Sequence, residues 1–553
     1  MKQRLGQLRR PDFWTFVKFL VIASMCLFIV YPFYTILTKS IFSDKVEGAT
    51  LYNFTRFFTK KYYYEPLIRS IVVCSTTVLT STLIGVPIAY VLTRYNVPGK
   101  QLVHILIIMS LMSPPFIGAY SWIILAGRQG IVAKLFTALG LGAPTIYGKG
   151  GIIFVFTLHL FPYVYLYTSG AMNSIDASLE EAAENLGMSK LKRIWTVTLP
   201  VVLPSILAGC VMVFMTCLAD FGTPMLIGEG YTVLPVLVYN EYMSESATNP
   251  YMASALSVVI VSCSLLVLAF QKLVIDKRNY QMSSLRPPQE TVLTGWKRFA
   301  VSLPIWIVVF LAFLPQIVVV CQSFVERSFS GMIKGINFNN YTAIMSRLGR
   351  NIRNTYVFSL VAIVFIVVLG ILVSYILVRK KGKVANLIDT LIMFPYVIPG
   401  SVLGIGLIVA FNRKPVILVG TAAIMIISYV VRKLPYTVRS GSAFLYQMDP
   451  FVEEASINLG VSPMKTFFTV TARMMLPGVM SGAVLSWITC INELSSSIML
   501  YSGKTSTIAV AIYQEVTRMS DGTAAALATI LTVTTIISLL IVFRLTKGKV
   551  KIV

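Results

Sequence analysis

Leu83-Ile84-Gly85-Val86-Pro87-Ile88-Ala89-Tyr90-Val91-Leu92-Thr93-Arg94 returns 285 residues later as Val368-Leu369-Gly370-Ile371-Leu372-Val373-Ser374-Tyr375-Ile376-Leu377-Val378-Arg379, with Gly, Tyr and Arg in register. Each copy closes a longer apolar run, 67 to 93 and 354 to 378, and about 20 such residues cross a bilayer as a helix. Further on, Pro162-Tyr163 matches Pro435-Tyr436 and Thr216-Cys217 matches Thr489-Cys490, both at an offset of 273. The change of offset predicts a net loss of 12 residues in the second half, most simply in the loop near 412 to 415. A repeat of this length means one folding unit written twice.

The composition agrees with a membrane protein. Of 553 residues, 56% are hydrophobic and 12% charged, where a soluble globular chain carries about 25% charged residues. An ordinary soluble enzyme is excluded. About twelve spans are expected: 16 to 38, 67 to 93, 102 to 126, 151 to 171, 201 to 226 and 251 to 273, then 299 to 323, 354 to 378, 388 to 411, 415 to 436, 476 to 500 and 524 to 545. Runs this long without alternation are helices, because a membrane barrel shows short segments of period two. The expected fold is an all-α polytopic membrane protein of two fused six-span units, residues 1–273 and 299–553. A polar cytoplasmic linker at 274–298, with Pro287-Pro288, joins them.

The charges set the orientation. An excess of 47 Lys and Arg over 22 Asp and Glu gives +25, which in a soluble chain would suggest nucleic acid. Here cytoplasmic loops explain it better, because they collect Lys and Arg. Lys2, Arg4, Arg9 and Arg10 precede the first span, and an even number of spans puts Arg544, Lys547, Lys549 and Lys551 on the same side, so both termini are expected in the cytoplasm. Arg94 and Lys100, Lys190 to Arg193, Lys272 to Arg298 and Arg379 to Lys383 fall on the same side. Glu229, Glu241 and Glu245 fall outside, and Arg347, Arg350 and Arg353 run against the scheme. Arg9-Arg10 is followed by Tyr31-Pro32-Phe33-Tyr34 where an export signal would carry small residues, so the first span is expected to be retained. Seven scattered cysteines and two histidines, His104 and His159, form no metal-ligand spacing.

Two inside loops carry the chemistry. Asp176-Ala-Ser-Leu-Glu-Glu-Ala-Ala-Glu-Asn-Leu-Gly187 is matched by Asp449-Pro-Phe-Val-Glu-Glu-Ala-Ser-Ile-Asn-Leu-Gly460. Asp176 and Asp449 can cap a short helix, Pro450 suits its first position, and Ser178 with Glu181 is an alternative capping box. Gly187 and Gly460 end it as left-handed caps. Leu179, Ala182, Ala183 and Leu186, and likewise Val452, Ala455, Ser456 and Leu459, recur at helical spacing, giving one small apolar face. Ser189 or Ser462 can cap the helix that follows. Ala in place of Leu, Phe or Trp suits a protein groove better than a lipid surface.

Glu181-Ala182-Ala183, Gly187, Val197 and Leu199-Pro200 resemble the EAA loop of the membrane subunits of bacterial binding-protein-dependent ABC importers. The loop occupies 176–200, and its second copy, 449–473, keeps Glu454-Ala455, Ser456, Gly460 and Val470 but has Ala472-Arg473 for Leu-Pro. The resemblance implies a type I importer-like fold in the bacterial cytoplasmic membrane, with two copies of an ATPase subunit docking on the loops. It also implies an external solute-binding protein and no nucleic acid. The docking residues would be Glu180, Glu181, Ala182, Ala183 and Gly187, with Glu453, Glu454, Ala455, Ser456 and Gly460. The acidic pairs sit at helix N-termini, where their charge either favours the helix dipole or meets basic groups of the partner. No cofactor is expected on this chain itself, and ATP with magnesium would be used by the partner. Gly503-Lys504-Thr505 resembles the tail of a phosphate-binding loop, but Ile498 stands where the first Gly belongs, so no ATPase activity is expected here.

Ionisable residues within spans are costly and default to functional candidates. Asp220 aligns with Glu493 at offset 273, beside Gly222 and Pro224 in one half and Ser495, Ser496 and Ser497 in the other. They either line an outer gate and favour a cationic substrate, or bond adjacent backbone near the outer interface. Fused double-unit permeases resemble the ferric-iron group, so ferric iron is the expected solute, with phosphonates, sugar phosphates, polyamines and thiamine as alternatives. An ion-driven secondary transporter also allows six plus six spans with both ends inside.

Overall fold

A computed structural model describes residues 13–128, 130–142, 145–243, 249–271, 273, 290–327 and 333–545. The basic N-terminal residues Lys2, Arg4, Arg9 and Arg10, the tail lysines Lys547, Lys549 and Lys551, most of the linker and Glu245 lie outside the described residues.

The chain is helical and polytopic. Among the described residues ten helices are long and apolar enough to cross a membrane, or eleven if Lys383–Tyr396 and Gly400–Phe411, bent by 108°, form one span. The expected span at 415 to 436 is displaced. Asn412 to Ile417 forms a short antiparallel hairpin, and the helix runs from Ala422 to Gln447 with Arg432, Lys433 and Arg439 in it. Those three charges keep it from being a plainly apolar span.

Two other expected spans, 102 to 126 and 388 to 411, are each broken at an equivalent proline. Lys100–Met112 ends at Ser113 (ψ 143°) and restarts after Pro114 at Pro115–Ala126. Lys383–Val397 ends at Ile398 (ψ 128°) and restarts after Pro399 at Gly400–Phe411. Proline supplies no backbone donor and forces the preceding residue into the extended region, so the helix must stop there. The duplication then holds element by element. Lys61–Arg94 corresponds to the end of Asn339–Arg379, Lys149–Asn173 to Ala422–Gln447, and Leu199–Ala219 to Ala472–Ile491. The predicted loss of 12 residues falls between 127–148, which holds the helix Ile131–Ala138, and 412–421, which holds only the hairpin.

Close packing is written into the repeated glycines. A Cβ on Gly85 would lie 3.0 Å from the Phe161 carbonyl oxygen and the Tyr165 amide, and one on Gly370 would strike Thr437 Cγ2 at 2.6 Å. Small residues let membrane helices approach to backbone contact, where dispersion replaces the absent hydrophobic drive.

Compact packing does not follow the sequence halves 1–273 and 299–553. Among the described residues, one unit contains 13–38, Leu348–Ala511 and 534–545, and the other those of Lys39–Arg347 with Ile512–Val533. The first long helix of each half thus packs with the other half's helices. In the first unit Trp14 stacks on Tyr375 at 4.5 Å and meets Phe467 edge-on at 4.8 Å. In the second, Ser121 Oγ donates to the Pro315 carbonyl at 2.9 Å and Trp306 Nε1 to that of Pro98 at 3.3 Å. The loops after these helices, 41–51 and 324–338, are long enough to allow the exchange.

Candidate functional site

Each of the two matched loops folds as a knob. Ala177–Asn185 is capped by Asp176, whose carboxylate accepts from the Ser178 amide at 2.9 Å, so the alternative box of Ser178 with Glu181 is not used. Phe451–Asn458 begins in the same way, with Asp449 accepting from the Phe451 amide at 2.9 Å. Both helices end in the same motif. Gly187 (φ +78°) and Gly460 (φ +85°) turn left-handed, the Met188 amide donates to the Ala183 carbonyl at 3.1 Å, and the Val461 amide to that of Ser456 at 3.2 Å. These bonds satisfy the last helical carbonyls and reverse the chain at a fixed angle. Ser189 and Ser462 hold the next N-cap positions without a side-chain cap bond. Lys190–Arg193 and Pro463–Thr466 then widen into π-helical turns, Ile194–Thr198 and Phe467–Thr471, before the long helices resume.

The expected apolar face divides in two. Ala183 is buried against its own unit, and Ser456, its counterpart, shares a hydrogen bond with Thr466 at 3.0 Å. Leu179, Ala182 and Leu186 are exposed, as are Val452, Ala455 and Leu459. Leu186 is 78% and Leu459 84% exposed, high values for leucines at the tip of a rigid turn. Trp195 and Phe468 add an exposed aromatic ring to each knob.

The acidic pairs also divide. Glu180 Oε1 accepts from Arg94 Nη2 at 2.6 Å and from Thr198 Oγ1 at 3.0 Å. Glu453 Oε1 accepts from Arg379 Nε at 3.1 Å, Glu453 Oε2 from the Tyr375 hydroxyl at 3.2 Å, and Arg379 Nη2 also reaches the Met448 carbonyl at 2.9 Å. In both halves, then, the last residue of a long helix clamps the first glutamate of the knob. Glu181 and Glu454 stand exposed beside the apolar residues. The clamp went unseen in the loops alone, although its signal was present: Arg94 and Arg379 are the in-register arginines of the repeat. The first knob carries one further pair, Arg193 Nη1 to Glu184 Oε2 at 2.6 Å, where the second has Thr466 and Ile457.

Asp220 and Glu493 sit at matching breaks. Asp220 ends Leu199–Ala219 and accepts from the Thr223 amide at 3.2 Å and the Thr223 hydroxyl at 3.1 Å. Glu493 accepts from the Ser496 amide at 3.1 Å and the Ser496 hydroxyl at 3.2 Å. Both therefore bond adjacent backbone. Glu493 is also ion-paired with Arg432 and with Lys433, the latter at 2.6 Å. It does not stand as a free anion. Ser497 is tied to Tyr429 at 2.8 Å, and Ser495 lies half-buried at the same break. Arg432 and Lys433 were passed over inside an expected span, although ionisable residues there are the ones to ask about. Arg347 and Arg518 reach the buried Glu515 at 3.5 and 3.4 Å, which gives the discordant Arg347 a partner. Gly503-Lys504-Thr505 lies in the turn between Ser497–Leu500 and Ile508–Thr517, not between a strand and a helix.

A duplicated membrane unit with a rigid, two-faced knob on each copy defines a class, a permease driven from outside the chain. Residues 81–280 and 366–551 match the family described as "Binding-protein-dependent transport system inner membrane component". The chain belongs to that family and is a multi-pass inner-membrane protein, the permease subunit of an ABC importer with the family's domain present twice. It is 27% identical over 524 residues to the ferric transport system permease protein FbpB of Actinobacillus pleuropneumoniae, covering 93% of this chain and 75% of that protein. A putative ferric transport system permease protein FbpB 1 of Haemophilus influenzae is 27% identical, over 88% of this chain and 79% of that one. The molybdenum transport system permease protein ModB of Mycobacterium tuberculosis is 28% identical over 36% of this chain and 75% of its own.

Proposed function

We propose that two ATPase subunits dock on this chain, one on each knob, and that an external binding protein delivers the solute. The supporting observation is the knob itself, present twice with the same left-handed end and the same arginine clamp. In this reading Leu179, Ala182 and Leu186, with Val452, Ala455 and Leu459, enter a groove of the ATPase, while Glu181 and Glu454 meet its basic groups. Ala183 and Ser456 seat the knob, and Gly187 and Gly460 set its angle. ATP and magnesium are handled by the partner alone. Twelve crossings with both termini in the cytoplasm follow if each broken helix and the charged Ala422–Gln447 also span.

Ferric iron is the favoured solute, because relatives that match most of the chain are ferric transport system permeases. Phosphonates, sugar phosphates, polyamines and thiamine remain alternatives of the same machinery. An ATPase subunit should co-purify with the chain, and bulky residues at both Gly187 and Gly460 should uncouple ATP hydrolysis from uptake of radiolabelled iron(III). Uptake driven by an ion gradient in vesicles without an ATPase would overturn the reading and restore the secondary transporter.

A further inference from the structure

Ala422–Gln447 differs from its counterpart Lys149–Asn173 in the charges within it. It carries Arg432, Lys433 and Arg439 where the first half has His159, Leu160 and Leu166. Arg432, Tyr436 and Arg439 follow helical spacing and fall on one face, with the two arginines about 10 Å apart along the axis. The opposite face is packed, with Leu434, Val438 and Leu445 buried, and the stripe itself is buried toward the helix start at Met425 and Tyr429 and opens only from Arg432 onward. Against this stripe lie Glu493, at the break of one helix, and Asp389, whose carboxylate meets Arg439 at 3.0 Å. Three cationic side chains thus face two carboxylates, and the excess is positive. The first half has His104 at the position equivalent to Asp389, so it repeats neither the arginines nor this acid.

The stripe is not sealed. The side chain of Arg439 is 53% exposed, that of Asp389 38% and that of Arg432 15%. A charged face this open is strongly disfavoured against hydrocarbon and is tolerated where it lines water. The helix break at Pro399 adjoins it: a Cβ on Gly400 would lie 2.8 Å from both the Arg432 guanidinium carbon and Ser495 Cβ. Gly400–Phe411 begins at this point, so the positive end of a helix dipole adds to the guanidinium. The Ser401 hydroxyl, fully buried in its first turn, has no hydrogen-bond partner.

From this we infer that the Arg432–Tyr436–Arg439 face lines the solute path and that the solute crosses as an anion, either an oxyanion or an anionic metal complex. The inference rests on the importer reading and deepens it. A bare metal cation or a polyamine would be repelled along this face, whereas iron(III) held by anionic ligands would not. Electrostatic focusing in a low-dielectric cleft favours the sign of solute that complements the walls.

The test is the rate at which a thiol at Tyr436→Cys in the full chain, in nanodiscs with its ATPase, is modified by two membrane-impermeant reagents. One is the anionic sulfonatoethyl methanethiosulfonate and the other the cationic trimethylammonium analogue, with modification read by mass spectrometry of the peptide holding residue 436. The anionic reagent should react about tenfold faster. Arg439→Gln, which removes an exposed charge, and Arg432→Gln with Arg439→Gln should shrink that preference stepwise, while Arg439→Lys keeps it. Sulfate and iron(III)–citrate are then added separately as protectants. Protection by sulfate marks a path for free oxyanions, and protection by iron(III)–citrate alone marks one for an anionic complex. Equal rates, a cationic preference, modification by neither reagent, or protection by neither anion would overturn the inference. ATP-dependent uptake by the unsubstituted complex is measured in parallel, and its absence would fault the importer reading while leaving the sign of the path decided.

Discussion

Replacing Arg94 by Ala should loosen the first knob without touching any residue that the knob presents. The Arg94 side chain is 9% exposed and that of Glu180 19%, and their oxygen and nitrogen stand 2.6 Å apart. Exposed pairs contribute about 0.5 kcal/mol, and removing one partner of a fully buried pair costs about 3–5 kcal/mol. Glu180 keeps its bond from Thr198 and some access to water, so the loss should be about 2 kcal/mol, between those limits. If that energy holds the knob in its docking orientation, the ATPase binds only the remaining oriented fraction, and its Kd rises by up to about thirtyfold. The assay is equilibrium binding of the ATPase subunit to the permease in nanodiscs, with ATP hydrolysed per solute transported as a second readout. Glu180→Ala should resemble Arg94→Ala, and the double variant should be milder than the sum, with a coupling term of about 1–2 kcal/mol. A Kd shift below about twofold, or additive single effects, would refute the clamp as the element that orients the knob.

Gly187→Asn should be tolerated and Gly187→Val should not. A Cβ there meets nothing within 4 Å, so the cost is purely that of φ +78°, about 1–2 kcal/mol for a β-branched residue, read as lost coupling of ATP hydrolysis to uptake. Trp14→Ala empties a site that is 6% exposed between Tyr375 and Phe467, and should cost about 3 kcal/mol, seen as a lowered melting temperature in detergent. Glu326 lies in a hairpin outside the spans, where hydrogen bonds from Asn337 and Asn339 hold its carboxyl below the ordinary value. A depressed folded value means these contacts are fully present above about pH 4.3 and are lost as the pH falls through the lowered value. Glu326→Gln should therefore lower, at neutral pH, the protection of the Asn337 and Asn339 side-chain amides, read as exchange relative to the intrinsic rate at each pH, as acid does in the unsubstituted chain.

The duplication, the membrane-spanning helices and the knobs were legible because each is local or periodic. A span is a run of apolar residues, a knob is an Asp cap, a short helix and a left-handed glycine, and a repeat is an offset. The two broken helices were missed for want of weight on Pro114 and Pro399, whose effect is local and could have been read. The helix Ala422–Gln447 was placed about seven residues early because its first expected turns form the hairpin at Asn412 to Ile417.

Taken alone, the sequence determined that this protein is a twofold-repeated helical membrane permease with two matching capped loops, because apolar runs, caps and offsets are properties of neighbouring residues. Only the tertiary structure decided which acid does what. Glu180 and Glu453 turn inward to Arg94 and Arg379 while Glu181 and Glu454 stay exposed, and Glu493 is neutralised by Arg432 and Lys433 from a helix some 60 residues away in the chain. The physical reason is that the cost of a charge in or near a membrane depends on what lies within a few ångströms of it, and that neighbour is set by packing between helices that the sequence does not order in space.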